Sequence, residues 1–484
     1  MKSPIFSNIV NHYQCPVTYR SSQNNQIMEY IHHALKFKYD LCIGCSHCTS
    51  ICPVGAIHVD KGHPHLNPNR CIDCGKCYQT CPVNAIYIEQ DDFQNIYNFK
   101  CPVILIPSIF SAQFPEKISQ RAILSSIYHL GFQYVYEVEK SVDILQERIN
   151  ATMKDENTER PIISTFCPAV VRLIQVKYPS LIPNLLLTKP PLDMTAIYIR
   201  KVLVERGVKA EDIGIFYVAP CAAKIAAIKS PVGEDSSHID GILNMNYFYN
   251  KVFRIIKQGL YTYREDEFDF HPLSRRSILW SLTGGEIHDI PTGRNLAIDE
   301  IHNVSDFLDK LENEDIDNID FLELRACDES CAGGILCAGN RFLIAERQRK
   351  RAKQRPVTVT PTENNLLNFR DFLNENINVD GKVEPRSMDK LDDNISIAMR
   401  KMKKVFEITN DLPQVDCRIC GYQTCKALAE AVVNNEADVR QCIFVQRILE
   451  QTDKLTTAEA LKITKKVWGE VKVDKDSIKA LDLE

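Results

Sequence analysis

The stretch that decides the fold is a pair of cysteine-rich segments: residues 42–53 are CIGCSHCTSICP, and residues 71–82 are CIDCGKCYQTCP. Each copy has the spacing C-x2-C-x2-C-x3-C-P, which places three thiolates of one [4Fe–4S] cluster in a tight loop and sends the fourth cysteine to the other cluster. The two quartets that this spacing predicts are Cys42, Cys45, Cys48 and Cys81, and Cys71, Cys74, Cys77 and Cys52. A duplicated half-domain with two adjacent clusters is the simple interpretation.

The composition favours metal ligation over disulfide bonding. The chain has 484 residues, 19 cysteines and a formal net charge of −5, and its N-terminus lacks the basic and apolar segments of a secretory signal. Many cysteines in a long chain without such a signal indicate metal sites. We expect a cytoplasmic protein with no membrane helix, because there is no apolar run of about 18 residues. The acidic charge argues against nucleic acid or an anionic membrane as a partner.

A third cysteine group lies near the C-terminus. Residues 416–425 are DCRICGYQTC, with Cys417, Cys420 and Cys425, and Cys442 follows 17 residues later. The spacing resembles the C-x2-C-G-x3-C…C iron–sulfur domain of several redox proteins, which implies one more [4Fe–4S] cluster. Tetrahedral zinc is the alternative, since four thiolates with one C-x2-C pair also suit that ion.

The middle of the chain, residues 100–355, alternates apolar strand-like runs with helical periodicity, which predicts an α/β domain. Three predicted strands run into Cys167, Cys221 and Cys327, and open α/β sheets bind ligands at the carboxyl ends of their strands. Cys331 lies four residues after Cys327, so on a helix the two would share one face. These four thiolates suffice for one more cubane.

Three segments of this domain resemble the active-site signatures of the iron-only ([FeFe]) hydrogenases: TFCPA at 165–169, APCAAK at 219–224 and ELRACDESCAGG at 323–334. They occur in the order of that family, behind the duplicated cysteine segment. The resemblance implies an H-cluster, in which one cysteine of a cubane also bridges to a two-iron centre that carries carbon monoxide, cyanide and an amine dithiolate. The implied reaction is the reversible conversion of H2 into two protons and two electrons.

The resemblance also implies roles for individual residues. The implied cubane ligands are Cys167, Cys221, Cys327 and Cys331, of which Cys331 also bridges to the two-iron centre. Lys224 matches a lysine that hydrogen-bonds one cyanide, and an ammonium group suits a buried anionic partner. The alternative for Lys224 is an ordinary exposed lysine. Pro107 and Ser108 match the loop that contacts the other cyanide.

The chain departs from the productive members of the family at several positions. Phe166 stands where they have a cysteine that relays protons, and a phenyl ring cannot carry a proton. Ala219 and Arg325 replace methionines that flank the two-iron centre, and residues 333–342, GGILCAGNRF, resemble the divergent, sensory branch. We therefore predict a site that binds and senses H2 but turns over slowly. Arg325 facing the site and Arg325 in a surface ion pair are equal alternatives.

The predicted fold class is an α/β central hydrogenase-like domain, with an α+β bacterial-ferredoxin-like domain before it and a small, mainly helical iron–sulfur domain after it. The predicted segments are an N-terminal extension at 1–36, a two-cluster ferredoxin-like domain at 37–95, an H-cluster domain at 96–355, a linker and helix at 356–410, a C-terminal [4Fe–4S] domain at 411–445 and a helical tail at 446–484.

The predicted function is a low-turnover iron-only hydrogenase or H2 sensor whose [4Fe–4S] clusters relay electrons. The alternatives are an electron carrier with only a cubane at the central site and a subunit of a larger electron-transfer complex. The predicted partners are H2 and protons, a ferredoxin-like or other redox partner, the maturation proteins that build the diiron unit, and a signalling partner. Of the remaining cysteines, Cys15 has no assigned role, Cys101 is predicted to be a small buried residue, and Cys337 to pack near the site or relay a proton.

Overall fold

A computed structural model describes residues 31–261, 273–386, 391 and 394–473. The strands of this part are β1 (Leu35–Phe37), β2 (Ile57–Asp60), β3 (His63–Leu66), β4 (Ile86–Ile88), β5 (Cys101–Ile106), β6 (Tyr134–Glu137), β7 (Ile162–Ile163), β8 (Ile213–Ala219), β9 (Gly241–Asn244), β10 (Asn295–Ile298) and β11 (Phe321–Leu324).

The α-helices of the same part come mostly from the central and C-terminal regions. They are α1 (His47–Ile51), α2 (Lys76–Thr80), α3 (Ile109–Ala112), α4 (Gln120–His129), α5 (Val142–Lys154), α6 (Pro168–Lys177), α7 (Pro191–Glu205), α8 (Ala222–Lys229), α9 (Met245–Gln258), α10 (Arg275–Leu279), α11 (Ile301–Glu312), α12 (Arg341–Lys353), α13 (Arg370–Glu375), α14 (Ile395–Asp411), α15 (Cys425–Val433), α16 (Ile443–Gln451), α17 (Thr457–Trp468) and α18 (Glu470–Val473).

The largest sheet has four parallel strands in the order β6-β5-β8-β9. β5 has the sequence CPVILI and β8 has IGIFYVA, and every residue of both strands is buried. Near-continuous apolar runs of this kind are typical of parallel strands that are covered on both faces. Helices α7, α8 and α9 pack against β8. This sheet is the core of the α/β domain.

A second parallel sheet has the order β10-β11-β7. β11 pairs with β7 through Phe321 opposite Ile162 and Leu322 opposite Ile163. The strands that run into cysteines are therefore divided: β8 belongs to the first sheet, while β7 and β11 belong to the second. The sequence did not predict that these strands belong to two separate sheets.

The duplicated cysteine segment folds as two antiparallel strand pairs with a short helix after each cysteine loop. β1 pairs with β4 and β2 pairs with β3, and α1 and α2 begin at equivalent positions of the two loops. The domain predicted at 37–95 also includes residues before 37, because Ala34 is fully buried and β1 starts at Leu35.

The second cysteine loop packs tightly against the central domain at Gly75. Gly75 has a φ of +78°, and a Cβ atom there would lie 2.2 Å from Ile335 Cδ1. An L-residue at this position would be both strained and sterically blocked. The glycine therefore allows the loop to approach the segment that follows Cys331.

The C-terminal region is helical, and its small core lies between α14, α15 and the cysteine loop. Val405, Leu412, Leu428 and Cys420 are buried together there. The segment before α14, predicted as a linker, packs its leucines Leu366, Leu367 and Leu373 into the core of the central domain. No helix in the described ranges is long and apolar enough to cross a membrane.

Candidate metal centres

The four central cysteines come from the ends of strands in two different sheets. Cys221 lies two residues after the end of β8 and is the N-cap of α8, and Cys167 follows β7 and is the N-cap of α6. Cys327 lies in the loop after β11, and Cys331 lies in a short 3-10 turn, Ser330–Gly333. The expectation that Cys327 and Cys331 share a helix face is wrong, because two left-handed residues between them exclude a continuous helix.

The surroundings of these thiols suit a cationic partner. The N-termini of α6 and α8 begin at Cys167 and Cys221, where the helix dipole stabilises negative charge. Burial raises the pKa of Cys221 to about 12 and the pKa of Cys327 well above its ordinary value. Without a positive partner, the buried thiols would stay protonated near neutral pH. Bound iron would supply that charge and hold them as thiolates.

The spacing of the sulfur atoms distinguishes a cluster from a single zinc ion. Four thiolates at about 2.3 Å from zinc lie roughly 3.8 Å apart. Within the described ranges, the only three potential ligand atoms within 4.8 Å of one another belong to His33, Cys71 and Asp73. No three cysteine sulfurs in these ranges are that close, so the quartets are wider than a four-thiolate zinc site.

Each of the other three predicted quartets lines a cavity of its own. The cavities have empty volumes of about 410 Å³ (Cys42, Cys45, Cys48 and Cys81), 310 Å³ (Cys52, Cys71, Cys74 and Cys77) and 280 Å³ (Cys417, Cys420, Cys425 and Cys442). The crossed assignment of Cys52 and Cys81, which rested on spacing alone, coincides with the first two of these cavities.

Two cations pack against the ring of Phe166 beside the central quartet. Lys224 Nζ lies 4.2 Å and the guanidinium carbon of Arg325 lies 4.0 Å from the ring centroid. Both side chains are buried, so Lys224 is not an exposed lysine and Arg325 makes no surface ion pair. The positive charge of Arg325 interacts with Cys331 and Cys167. Of the two alternatives for Arg325, the structure thus has the one that faces the site.

Arg325 is fixed in place on one side only. Its Nε donates to Glu323 Oε1 at 3.1 Å. Its Nη2 donates to the carbonyl of Trp280 at 3.2 Å, and the same Nη2 lies 3.6 Å from Glu286 Oε1. Its Nη1 has no hydrogen-bond partner in the part of the chain that the structure describes. A buried donor without a partner costs about 1–3 kcal/mol. An anionic group in the site would satisfy this donor.

Pro107 and Ser108 directly follow β5, and Ser108 is fully buried. The Ser108 N–H donates to Glu139 Oε2 at 2.8 Å, and Gln348 Nε2 donates to Ser108 Oγ at 3.0 Å. Ser281 Oγ lies 3.3 Å from Ser108 Oγ and donates to Glu139 Oε1 at 2.6 Å. This network fixes Ser108, and the backbone N–H of Cys331 donates to the Ser281 carbonyl in turn.

Two buried carboxyl groups border the central site, and the sequence singled out neither. Burial raises the pKa of Glu139 and the pKa of Glu286 to about 7. Each can therefore exchange a proton near neutral pH. They come from segments about 150 residues apart, so no local pattern could have paired them with the cysteines.

Phe166 and Lys224 also line a small cavity. Asp193, His238 and the exposed Ser236 also line it. Burial raises the pKa of Asp193 to about 6, although Lys224 favours the ionised form. The cavity thus brings a titratable carboxyl group to the Phe166 ring, and no sequence pattern indicated it.

The remaining cysteines have different positions. Cys337 Sγ donates to the carbonyl of Cys331 at 3.4 Å and lies 3.7 Å from Met245 Sδ, so it packs beside the site. Cys101 is buried at the first position of β5, as predicted. Cys15 lies outside the described residues.

A buried ion pair joins the second cysteine loop to the central domain. Arg172 Nη1 donates to Asp73 Oδ2 at 2.6 Å, and both side chains are almost completely buried. His33 Nδ1 also lies 2.8 Å from that carboxylate oxygen, and the Ala34 N–H donates to its other oxygen at 3.1 Å. Arg172 lies on α6, the helix that begins at Cys167. The pair is invisible in the sequence because its partners are 99 residues apart.

Residues 101–291 match the family described as iron only hydrogenase large subunit, C-terminal domain. This segment of the chain is similar to the iron-only hydrogenases. Residues 41–85 also match the 4Fe-4S dicluster domain, and residues 412–444 match a family described as a putative Fe-S cluster. The predicted relationship and fold class are confirmed: an α/β hydrogenase-like domain, an N-terminal ferredoxin-like domain and a helical C-terminal region.

Individual relatives are distant or match over a short stretch. The periplasmic [Fe] hydrogenase large subunit of Nitratidesulfovibrio vulgaris is 26% identical over 213 residues, which cover 40% of this chain and 50% of that protein. The uncharacterized protein MJ0119 of Methanocaldococcus jannaschii is 40% identical over 74 residues, 15% of this chain and 32% of that protein. The chain thus spans half or less of the length of these two curated relatives.

Among solved structures, a variant of [FeFe]-hydrogenase HydA1 from Chlamydomonas reinhardtii matches with 15% identity and a TM-score of 0.44. The match covers 62% of this chain and 97% of that one.

Proposed function

We propose that this hydrogenase-related chain holds an H-cluster at Cys167, Cys221, Cys327 and Cys331 and acts as an H2 sensor or slow hydrogenase. The observation that carries the proposal is the pair of buried cations, Lys224 and Arg325, beside four partly buried cysteines in the three signature segments. When bound, the H-cluster supplies the reversible conversion of H2 into two protons and two electrons.

The residues around the quartet suit anionic ligands such as cyanide. Lys224 and Arg325 are cationic donors, and Arg325 Nη1 has no hydrogen-bond partner among the described residues. Hydrogen bonds from charged donors are roughly twice as strong as those between neutral groups. Ser108 is held by hydrogen bonds with Glu139 and Gln348. The chain thus binds and orients the cofactor and excludes water from it.

The same surroundings support slow turnover. Phe166 lines the cavity that Asp193 also lines and packs against the guanidinium of Arg325, and its ring can neither accept nor donate a proton. A proton on Asp193 therefore has no side chain at position 166 to receive it. We infer that slow proton exchange favours sensing of H2 over its rapid turnover.

Electrons would move between the central quartet and the two ferredoxin-like clusters. The loop with Cys71 and Cys74 packs directly on the central domain through Gly75 and the Asp73–Arg172 pair. A redox partner outside the chain would exchange these electrons. Maturation proteins would build the diiron unit, and a signalling partner would receive the output of a sensor.

The deciding experiment is infrared spectroscopy of protein co-expressed with the maturation proteins, in the region where metal-bound carbon monoxide and cyanide absorb. We expect bands that shift under H2. The Cys331→Ser variant should lose them, because it removes the bridging thiolate. The Cys101→Ala variant is the matched control, since Cys101 is buried outside the site, and it should keep them.

An absence of bands in protein that still binds iron in cubane amounts would contradict the proposal. The chain would then be an electron carrier with only a cubane at the central site. The roles proposed for Lys224, and for Cys331 beyond cubane ligation, would have to be withdrawn.

A further inference from the structure

The C-terminal cysteine loop is bonded directly to the ferredoxin-like segment. Gln423 Nε2 donates to the carbonyl of Cys52 at 2.7 Å, and Cys52 lines the cavity of the second ferredoxin-like quartet. Gln423 lies between the cysteines at 420 and 425 of the C-terminal quartet. One side chain thus bridges the ligand loops of two cluster sites.

Two more contacts bring the same loop to the other ferredoxin-like site. The Val59 N–H donates to the Gly421 carbonyl at 2.8 Å, and Val59 lines the cavity of the first quartet. Gly421 has a φ of +90°, and a Cβ atom there would lie 2.4 Å from the Val59 carbonyl, so only glycine permits this approach. The rings of His58 and Tyr422 stack with centroids 5.3 Å apart.

The opposite side of the C-terminal quartet faces solvent. Of the cysteines that the structure describes, Cys417 is the one that is exposed. Val415 and Ile419, two residues before and after it, are also exposed large apolar residues. The C-terminal site therefore lies between the protein surface and the ferredoxin-like clusters. This is the position of a group through which electrons pass into or out of the chain.

The helix that leads into this loop carries an exposed apolar stripe. Ile395, Met399, Met402 and Phe406 of α14 are between 57% and 78% exposed, and their spacing of four, three and four residues places them on one face of the helix. The other face packs on α15 through Val405. Contiguous exposed apolar surface of this kind marks an interaction site.

Basic residues lie on one side of the stripe. Lys403 adjoins the stripe on the helix surface, and Arg400 and Lys404 lie further round the exposed surface of α14. Lys403 Nζ lies 4.0 Å from Glu407 Oε1. An antiparallel second copy of α14 that packs stripe against stripe would bring the Lys403 side of each helix against the same side of the other, which is unfavourable. An acidic partner with an apolar contact face complements the stripe and the basic side next to it.

We propose that a small acidic electron-carrier protein docks on α14 and exchanges electrons with the chain at the C-terminal cluster of Cys417, Cys420, Cys425 and Cys442. In each event one electron leaves the reduced cluster of the carrier, which is oxidised, and reduces the C-terminal [4Fe–4S] cluster. No bond forms or breaks. The electron then passes to the ferredoxin-like clusters across the loop of Gly421 and Gln423. This inference holds with or without a diiron unit at the central site.

The test is stopped-flow reduction of the full iron-loaded chain by a reduced, acidic two-[4Fe–4S] ferredoxin. We expect a second-order rate that falls as salt concentration rises, because opposite charges steer the encounter. Freeze-quenched samples should show the C-terminal cluster reduced first by electron paramagnetic resonance. The double variant Met399→Glu, Phe406→Glu should lower the rate about tenfold, while reduction by dithionite stays unchanged.

The matched control is Phe342→Glu, Leu343→Glu on α12, two residues that are also more than half exposed and lie outside the C-terminal region. It should keep the wild-type rate. Three results would overturn the inference: equal rates in both double variants, unchanged reduction by the carrier in Cys417→Ser, or a wild-type dimer in sedimentation that the α14 variant dissociates. The last would mean that a second copy covers α14. None of these results affects the infrared test of the central site.

Discussion

At the scale of single residues, the proposed slow turnover depends on Phe166. Its ring lines the same cavity as Asp193 and packs against the guanidinium of Arg325. We expect Phe166→Cys to raise the rate of H2 turnover by about tenfold or more, since a positioned proton-transfer group contributes roughly 10²–10⁴-fold. The measurement is H2 oxidation and evolution by the matured protein.

The control for this change is Phe166→Leu, which keeps an apolar wall and carries no proton. It should leave turnover at the wild-type level. If the cysteine and leucine variants turn over H2 equally, proton transfer at position 166 does not limit the rate. Another residue that differs from the productive hydrogenases, such as Arg325, would then be the candidate for the cause of slow turnover.

Some properties of individual residues could be predicted from the sequence, and others could not. Three of the cysteine quartets were predictable because most of their ligands are close in sequence and their spacing is specific. The central quartet, spread from Cys167 to Cys331, was predictable from the strands that lead into its cysteines and from the signature segments. The unpartnered Nη1 of Arg325 and the raised pKa of Glu139 and Glu286 arise from residues that meet only in the folded chain. Burial, which sets these properties, depends on tertiary packing that spacing does not encode.

At the scale of secondary-structure elements, α6 connects two cluster sites. Its N-cap is Cys167 of the central quartet, and its Arg172 pairs with Asp73 in the loop of Cys71 and Cys74. Strand ends and helix starts were predictable from apolar runs that lead into cysteines. The division of the strands into two sheets was not, because both sheets are parallel and their strands have similar composition.

We expect Arg172→Met to destabilise the folded chain by about 3–5 kcal/mol, because it leaves the buried Asp73 carboxylate without its cation. The matched control is Arg370→Met, which breaks the ion pair of Arg370 with Glu147, where both side chains are nearly half exposed. Exposed pairs contribute about 0–1 kcal/mol. The comparison is made by anaerobic chemical unfolding.

An equal effect of the two arginine variants would contradict this expectation. It would mean that His33 and the Ala34 N–H compensate for the loss of Arg172. A shift of the cluster signals in electron paramagnetic resonance for Arg172→Met alone would show in addition that the ion pair acts on the second ferredoxin-like cluster.

At the scale of the whole molecule, the cysteine quartets lie against hydrophobic cores of very different size. The central quartet lies at the ends of sheets in a large apolar core that includes all of β5 and β8. The C-terminal quartet contributes Cys420 and Cys442 to a small cluster of buried residues. A small core stabilises its fold less, so bound metal contributes a larger share of the stability there.

Iron removal should therefore increase local unfolding more in the C-terminal region than in the central sheet. After anaerobic chelation, we expect hydrogen exchange to rise strongly in 411–445 and little in β5 and β8, because exchange reports the local free energy of opening. Mass spectrometry of peptides from both regions measures this, with the iron-loaded chain as the reference. A uniform rise across both regions would mean that the central sheet also depends on its cluster, and that the chain folds around iron as one cooperative unit rather than around the α/β core.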